Sequence, residues 1–259
     1  MSKHSNNSVE RFSNRVENYI KYRPHYPKDI ITFLNEECGF DNQKTVADIG
    51  SGPGISSENF IENGNTVYAV EPNDDMRKAA EFIFRDSENF KSVNGTAEST
   101  ALDNDFADLI IAGQAFHWFD KEKCKIEFKR ILKDDGYIIL MWNDKISSND
   151  FMKDYYELIK KYGKDYDKIN HTNVDDEVIG KFFSPLEFKK KSLRHTHPLD
   201  YAGLEGRLLS SSYIPLEGEQ FKIMIKELKD MFERYSENGK VEMEYQTNLF
   251  YGKLSDKGI

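Results

Sequence analysis

Cysteine is scarce in this chain of 259 residues, which holds only Cys38 and Cys124. The two lie far apart in the sequence and form no pattern with metal-ligand spacing, so we expect reduced thiols and no metal site. Long apolar runs are also missing: the longest, residues 137–142, is far too short to cross a bilayer. The first eight residues lack the apolar stretch of a signal peptide. We therefore expect a cytoplasmic protein with no membrane partner.

Lysine and arginine form no basic stripe, and the formal net charge is −9. This balance argues against a nonspecific grip on nucleic-acid phosphates, so nucleic acid is not an expected partner, although a local basic pocket is compatible with it. Hydrophobic residues make up 38% of the sequence, with 18 Phe and 14 Tyr, which allows a sizeable aromatic core. The length suits one large domain or a core domain with a cap.

The most informative segment covers residues 45–54, TVADIGSGPG. It predicts a short buried strand that runs into a turn with glycine at positions 50, 52 and 54. Glycine permits a sharp turn and lets a ligand come close to the main chain. A helix beginning just beyond the turn would add its unpaired N–H groups. For this segment alone, a plain strand-to-helix turn is the alternative.

A second apolar strand is predicted over residues 66–70, and Glu71 follows it directly. In doubly wound folds, an acid at this position accepts hydrogen bonds from the ribose hydroxyls of a nucleoside. A surface carboxylate is the alternative, and it is less favoured when the acid is paired with a glycine turn. Together the two segments indicate a nucleoside site.

The glycine spacing indicates which nucleoside binds. The pattern is G-x-G-x-G instead of the G-x-G-x-x-G of dinucleotide sites, and no P-loop lysine follows it. Asp48, two residues before the first glycine, would repel a phosphate and suits an ammonium group. S-adenosyl-L-methionine, which has a ribose, an adenine and an amino-acid tail, fits this set of groups.

The chain resembles the class I S-adenosylmethionine-dependent methyltransferases. The resemblance covers roughly residues 40–145, and the segments that carry it are residues 48–54, 70–72, 95–98 and 111–119. The segment QAFHWF at 114–119 and the segment YIKYRPHYP at 19–27 are similar to the small-molecule branch of the family. That branch includes the trans-aconitate and cantharidin methyltransferases, whose substrates are small acids or anhydrides.

The resemblance implies how the cofactor would be held near the first two strands. The glycine turn is expected to pass close to the methionine and ribose through Gly50, Ser51 and Gly52. Asp48 would orient the amino group, through water, and Glu71 would hold the ribose hydroxyls. Two further residues, Pro72 and Met76, are expected to flank the adenine.

The resemblance extends to the third and fourth strands and to the N-terminus. Ala97 would offer its backbone N–H to an adenine ring nitrogen, within a segment that also contains Glu98. Thr96 stands where many relatives have Asp, which leaves a side-chain contact with the exocyclic amine open. The main chain of Gln114 would face the methionine. Two lid residues, Tyr19 and Arg23, complete the expected cofactor site. The alternative is that they belong to an amphipathic helix that packs on the sheet.

The acceptor is expected to meet the loop after the fourth strand. His117 and Trp118 would form the pocket floor, and His117 is a candidate general base near neutral pH. A packed His-Trp-Phe cluster that fixes the loop is the alternative. Further candidates are Trp142 as a pocket wall, Arg207 as a fork for a substrate carboxylate, Tyr213 as a wall or hydroxyl, and His195 and His197. These two histidines lack further ligands for a metal, and satisfied polar residues on a cap are their alternative.

Strand and helix alternate through the first half, which predicts an α/β fold with helices on both faces of a parallel sheet. By resemblance we expect a Rossmann-like, doubly wound, seven-stranded sheet of order 3-2-1-4-5-7-6 with an antiparallel last strand and helical cap elements. Residues 1–39 would form a helical lid, residues 40–145 the cofactor-binding core, and residues 146–259 the cap helices and last strands. We also expect a turn at 135–136 and a strand over 186–194.

The predicted function is methyl transfer from S-adenosylmethionine to a small-molecule acceptor by in-line displacement. Three alternatives remain: a methyltransferase acting on a macromolecule, a nicotinamide-dependent oxidoreductase, and a non-catalytic sensor of the cofactor. The acidic balance disfavours RNA as a substrate, and the glycine spacing disfavours the oxidoreductase. The acceptor atom, the need for a general base, and the choice between monomer and dimer stay open.

Overall fold

The computed structural model describes residues 22–164, 175–211 and 213–254. Its strands form a single sheet in the order β3-β2-β1-β4-β5-β7-β6, which confirms the predicted order. Tyr19 and most of the expected lid lie outside the described residues. The strands are β1 Val46–Ile49, β2 Val67–Val70, β3 Phe90–Val93, β4 Ala107–Gly113, β5 Leu132–Lys145, β6 Phe188–Leu199 and β7 Val241–Gly252.

Local sequence sets the ends of several helices. The side chains of Asn73 and Asp120 accept backbone N–H groups at the starts of two helices, and Gly39 ends another at φ 61°. The helices are α1 Asp29–Cys38, α2 Glu58–Glu62, α3 Asp74–Ile83, α4 Lys121–Ile131, α5 Asp150–Tyr162, α6 Asp176–Phe183, α7 Tyr201–Leu209 and α8 Glu219–Tyr235, with a 3-10 turn at Phe116–Trp118.

The sheet divides two hydrophobic cores because successive residues of a strand point to opposite faces. In β4, Leu109 and Ile111 pack on the face covered by α1 and α2, whereas Ile110 and Ala112 pack on the face covered by α4 and α6. Strands β1 to β5 are parallel, and β7 is antiparallel to both β5 and β6. The continuous apolar pattern of the central strands follows from burial on both faces.

The hairpin of β6 and β7 extends past the end of β5. The last pair between β5 and β7 joins Lys145 to Tyr245, and the first residues of β7 continue beyond it. Helices α5, α7 and α8 pack on this extension around a third core, which we call the cap. The cap therefore stands at the carboxyl edge of the parallel strands, where open α/β sheets bind ligands.

The turn that we expected at residues 135–136 was wrong, because it lies inside β5. Pairing with β4 jumps from Leu132 opposite Ala107 to Tyr137 opposite Leu109, so residues 133–136 bulge out of the ladder. The local sequence has the composition of a turn, but Leu132 already pairs with the sheet before it. The strand β6 also runs further than expected, to Leu199.

The two cysteines are held away from solvent. Cys38 is partly buried and Cys124 is buried. Burial raises the pKa of the Cys38 thiol to about 11 and raises the pKa of the Cys124 thiol further. Over the described ranges, no cluster of His, Cys, Asp or Glu has the geometry of a metal site. The helices in these same ranges are all too short or too polar to span a membrane.

Candidate functional site

The three glycines of the turn after β1 differ in the space around them. Gly50, Gly52 and Gly54 have φ angles of 69°, 56° and 93°, a region that favours glycine. A Cβ on Gly50 would come within 2.8 Å of Ala115 Cβ, and a Cβ on Gly54 would strike the Phe84 ring. A Cβ on Gly52 would meet nothing within 4 Å. Gly52 is therefore the glycine that borders open space for a ligand.

Glu71 joins this turn to the end of β2. Its Oε2 accepts a hydrogen bond from the Gly52 N–H at 2.9 Å, and its Oε1 accepts one from the Asn73 N–H at 2.8 Å. Burial raises the pKa of this carboxyl, and the two N–H groups oppose that change. A carboxylate offers about four acceptor sites. The group thus keeps acceptor capacity beside the open space at Gly52.

Asp48 lies beneath the turn and is fully buried. Its Oδ2 accepts hydrogen bonds from Ser56 Oγ at 2.6 Å and from Ser57 Oγ at 2.7 Å. Neither Asp48 Oδ1 nor the buried Ser51 Oγ has a hydrogen-bond partner among the described residues. Burial raises the pKa of Asp48 to about 6. A buried carboxylate with an unused oxygen fits a cationic ligand group or a bridging water.

The residues expected near the adenine lie at the ends of β2 and β3. Met76 is buried on the first turns of α3, and Ala97 is buried in a tight turn in which Thr96 and Ser99 exchange backbone hydrogen bonds. Thr96 itself is exposed, as is Pro72. Their contacts with an adenine ring stay a prediction.

Glu98 has a role that its position in the motif did not suggest. Its Oε1 accepts the Asp120 N–H at 2.9 Å, so it fixes the turn after β3 to the start of α4. Gln114, at φ 54°, donates its backbone N–H to Met141 O at 2.9 Å and its Nε2 to Asn143 O at 3.1 Å. Gln114 therefore ties the end of β4 to β5.

His117 and Trp118 lie on the 3-10 turn beside the carboxyl edge. Their ring centroids are 4.7 Å apart, and Trp118 is 48% exposed. Trp142, expected on a pocket wall, instead packs in the core, with its ring edge-on to Phe116 at 6.4 Å and to Phe250 at 5.5 Å. It occupies the same sheet face as α4 and α6, which explains its burial.

Two arginines meet in the cap. Arg207 is 4% exposed and donates from Nε to Tyr245 Oη at 3.2 Å and from one terminal nitrogen to Ser210 Oγ at 3.3 Å. Arg23 donates to the backbone oxygen of the same serine at 3.4 Å. Tyr213 is partly buried in the same cap core. The structure thus brings Arg23 and Arg207, far apart in sequence, to one place.

The histidines of β6 also face the cap. His195 stacks on Tyr245 with ring centroids 5.6 Å apart, and His197 meets the His25 ring edge-on at 6.5 Å. Burial is the main cause that lowers the pKa of both His195 and His197. Both imidazoles are therefore mainly neutral at pH 7.

Sequence reasoning missed two residues of β5. The Lys145 Nζ lies 5.7 Å from the centre of the Tyr155 ring in the cap. The Asn143 Nδ2 donates to the backbone oxygens of Pro24 and His25, each at 3.4 Å. Local pattern gave no sign of either role, because it does not show that β5 ends beneath the cap. Only the register between β5 and β7 places them there.

Comparison with known proteins agrees with this architecture. Residues 47–140 match the family model described as a methyltransferase domain. An uncharacterized methyltransferase of Schizosaccharomyces pombe is 28% identical over 151 residues, which cover 58% of this chain and 59% of that protein. A protein of Saccharomyces cerevisiae, named as a probable S-adenosylmethionine-dependent methyltransferase, is 26% identical over 159 residues, covering 57% of this chain and 52% of that one. The matches thus span between half and two thirds of these relatives.

Solved structures share the fold. One described provisionally as a type II methyltransferase of Anaeromyxobacter dehalogenans has a TM-score of 0.61 and 16% identity, covering 90% of this chain and 98% of that chain. The family model, the sheet order and the geometry at Gly52 and Glu71 lead to one class. The chain is similar to the class I S-adenosylmethionine-dependent methyltransferases, on a methyltransferase-domain match that covers residues 47–140 and on a shared fold.

Proposed function

We propose that this protein transfers a methyl group from S-adenosylmethionine to a small-molecule acceptor. The observation that carries the proposal is the 2.9 Å hydrogen bond between the Gly52 N–H and the Glu71 carboxylate. The bond holds the Glu71 carboxylate against a main-chain turn that borders open space, which supports binding of ribose hydroxyls by this acid. The sequence match to a methyltransferase domain over residues 47–140 supports the same reading.

The residues present fit this cofactor. Glu71 would accept the ribose hydroxyls, and the unused Oδ1 of Asp48 would attract the ammonium of the amino-acid tail, directly or through water. Met76 and Ala97 would border the adenine. The dinucleotide alternative needs room for a pyrophosphate, which the buried Asp48 carboxylate opposes by its charge.

The catalytic task of the chain is to position the acceptor and exclude water. The cofactor supplies a methyl group on a sulfonium, which is already a good leaving group. The protein must hold the acceptor atom in line with the methyl–sulfur bond. This positioning lowers the entropic part of the activation barrier. A base is needed only for an acceptor that must lose a proton, and His117 on the turn after β4 is the candidate for that step.

The cap supports a small acceptor. Helices α5, α7 and α8 stand over the carboxyl edge, and the segment at residues 22–26 runs between the cap and the sheet. Tyr22 packs on Gly206 of α7, Arg23 donates to Ser210, and Asn143 holds the next two backbone oxygens. A site covered in this way suits a molecule that is largely enclosed when bound.

Calorimetry on the full chain tests the binding of S-adenosylmethionine, with a matched pair of variants. Gly52 and Gly39 both have positive φ, 56° and 61°, and a Cβ on either meets nothing within 4 Å. The backbone strain of G52A and G39A is therefore similar, about 1 kcal/mol. We expect G52A to weaken S-adenosylmethionine binding at least about tenfold, because its Cβ enters the ligand space, and G39A to leave it unchanged.

Two outcomes would count against the proposal. One is wild-type protein that binds neither S-adenosylmethionine nor S-adenosylhomocysteine, in particular if it binds NAD instead. The other is binding without turnover when a labelled methyl group is offered with small acids, phenols, amines and thiols, which would favour a sensor. Turnover with RNA or protein alone would move the acceptor to the macromolecular class.

A further inference from the structure

Two cations of the cap have no acidic partner among the described residues. Arg207 is 4% exposed, and its hydrogen bonds go to the hydroxyls of Tyr245, Ser210 and Ser211. The Lys145 ammonium has a ring contact with Tyr155 and forms no ion pair within the described ranges. Burying a cation without a counter-charge is costly, so such a pair calls for an explanation.

The sheet register explains how these cations come together. Lys145 pairs with Tyr245, and Tyr245 pairs with His195, so the three side chains lie in one row on the same face. Arg207 reaches this row from α7 through its 3.2 Å hydrogen bond to Tyr245 Oη. The neighbouring acids on the strands, Asp144 and Glu244, belong to the alternate positions and point to the opposite face.

We propose that Lys145 and Arg207, with Arg23 beside them, form the site that binds the carboxylate of an acidic acceptor. That the bound acid is the methyl acceptor rests on the proposed function, whereas the anion site itself rests on the positions of Lys145, Arg207 and Arg23. Arg23 and Arg207 converge on the same residue, Ser210, one on its backbone oxygen and one on its hydroxyl. Guanidinium groups match a planar carboxylate with paired hydrogen bonds.

The local backbone favours a carboxylate over a phosphate. Arg207 lies in the last turn of α7 and Ser210 is its C-cap residue. A helix C-terminus presents carbonyl oxygens and a partial negative charge, whereas protein sites for phosphate commonly use the N–H groups of a helix N-terminus. A singly charged carboxylate is repelled less at this end than a doubly charged phosphate.

The anion site lies within reach of the cofactor site. Gln114 at the end of β4 donates to Asn143 O at 3.1 Å, and Lys145 is two residues further along β5. Two residues of extended strand span about 7 Å. An organic acid of a few carbons can therefore place its carboxylate at Lys145 and a second group near Gln114, where the methyl group is expected.

The titration of Lys145 supports this geometry. Burial, and then the charges of Arg207 and Arg23, hold the pKa of Lys145 well below its usual range. The titratable groups that interact with Arg207 are the phenols of Tyr155, Tyr213 and Tyr245, together with Lys145 and His197, and none of them is an acidic carboxyl group. A bound carboxylate would raise the pKa of Lys145 again, so binding is expected to take up protons.

The test is calorimetry on the full chain, with and without saturating S-adenosylhomocysteine. The probes are succinate and propane-1,2,3-tricarboxylate, their neutral amides, and glycerol phosphate. We expect a carboxylic acid to bind the wild type with proton uptake and the amides not to bind. K145M should weaken the acid at least about tenfold. The control is K191M, because Lys191 also lies over a ring, Phe33 at 5.4 Å, but outside the cap.

Four outcomes overturn the inference, and a fifth separates it from the proposed function. Acids that bind K145M as well as the wild type, amides that bind as well as acids, or no binding of any acid would each remove the anion site. If glycerol phosphate binds and the carboxylic acids do not, the site binds a phosphate instead of a carboxylate. If acids bind in a manner that depends on Lys145 while S-adenosylhomocysteine does not bind, the anion site stands and the proposed methyl transfer fails.

Discussion

At the scale of single residues, Asp48 shows what a buried carboxylate at the proposed cofactor site costs in stability. The carboxyl is fully buried, only one of its oxygens is hydrogen-bonded within the described residues, and its pKa is raised to about 6. The folded protein therefore binds the Asp48 proton more tightly than the unfolded chain does. The contribution to stability is present at low pH and is lost as pH rises from about 4 to about 6.

The substitution D48N tests this trade-off. The amide removes the buried charge and keeps an oxygen for Ser56 and Ser57. We expect the ligand-free variant to gain about 1–3 kcal/mol in free energy of unfolding at pH 8, and little at pH 4. Its affinity for S-adenosylmethionine should fall. Urea unfolding at several pH values and calorimetry measure the two effects.

The control for that prediction is D86N, because the Asp86 side chain is 87% exposed. Its stability should match the wild type across the same pH range. A D48N variant that is less stable than the wild type at pH 8, or that binds the cofactor equally well, would show that Asp48 is a structural group instead.

At the scale of elements, α7 is built around a contact with the N-terminal segment. The Tyr22 ring lies directly on Gly206, where a Cβ would collide with it. In α6, by contrast, a Cβ on Gly180 would meet only Phe188, at an ordinary distance of 3.7 Å. The two helical glycines therefore differ in purpose, since only Gly206 makes room for another segment.

The pair G206A and G180A separates these purposes. We expect G206A to lose about 1–2 kcal/mol, because the collision outweighs the gain in helix propensity. G180A should gain about 0.5–1 kcal/mol from that propensity. Chemical denaturation of both variants measures the difference. Equal effects of the two substitutions would mean that the contact with Tyr22 contributes nothing.

Elements were predictable from the sequence where the signal is local. Apolar runs followed by glycine or an acid predicted β1 and β2, and the structure has both strands there. The bulge at residues 133–136 was not predictable, because a turn sequence and a bulge sequence look alike until the partner strand is known. Lys145 was missed for the same reason, as its surroundings depend on long-range register.

At the scale of the whole molecule, the β6–β7 hairpin makes the sheet and the cap one structure. Its β7 strand pairs with β5 at one end and packs under α5, α7 and α8 at the other. The segment at residues 22–26 bonds to both parts. Because the hairpin belongs to both parts and residues 22–26 bond to both, we expect the sheet and the cap to unfold together.

Scanning calorimetry on the full chain checks this expectation. A single transition is expected, and S-adenosylmethionine at a hundred times its dissociation constant should stabilise the protein by about 2.7 kcal/mol, or about 5–10 °C. NAD at the same concentration should not shift it. Two separate transitions, with only one moved by the ligand, would show that the cap and the sheet are independent.

The protonated state of Cys38 and Cys124 has a practical consequence for spectroscopy. Thiol reagents attack the thiolate, and the raised pKa of both residues keeps them protonated at neutral pH. A cysteine introduced at an exposed site such as Phe82, which is 70% exposed, would therefore react first. Fluorescent or spin probes can then be attached to the otherwise native sequence, with both original sulfur atoms left in place.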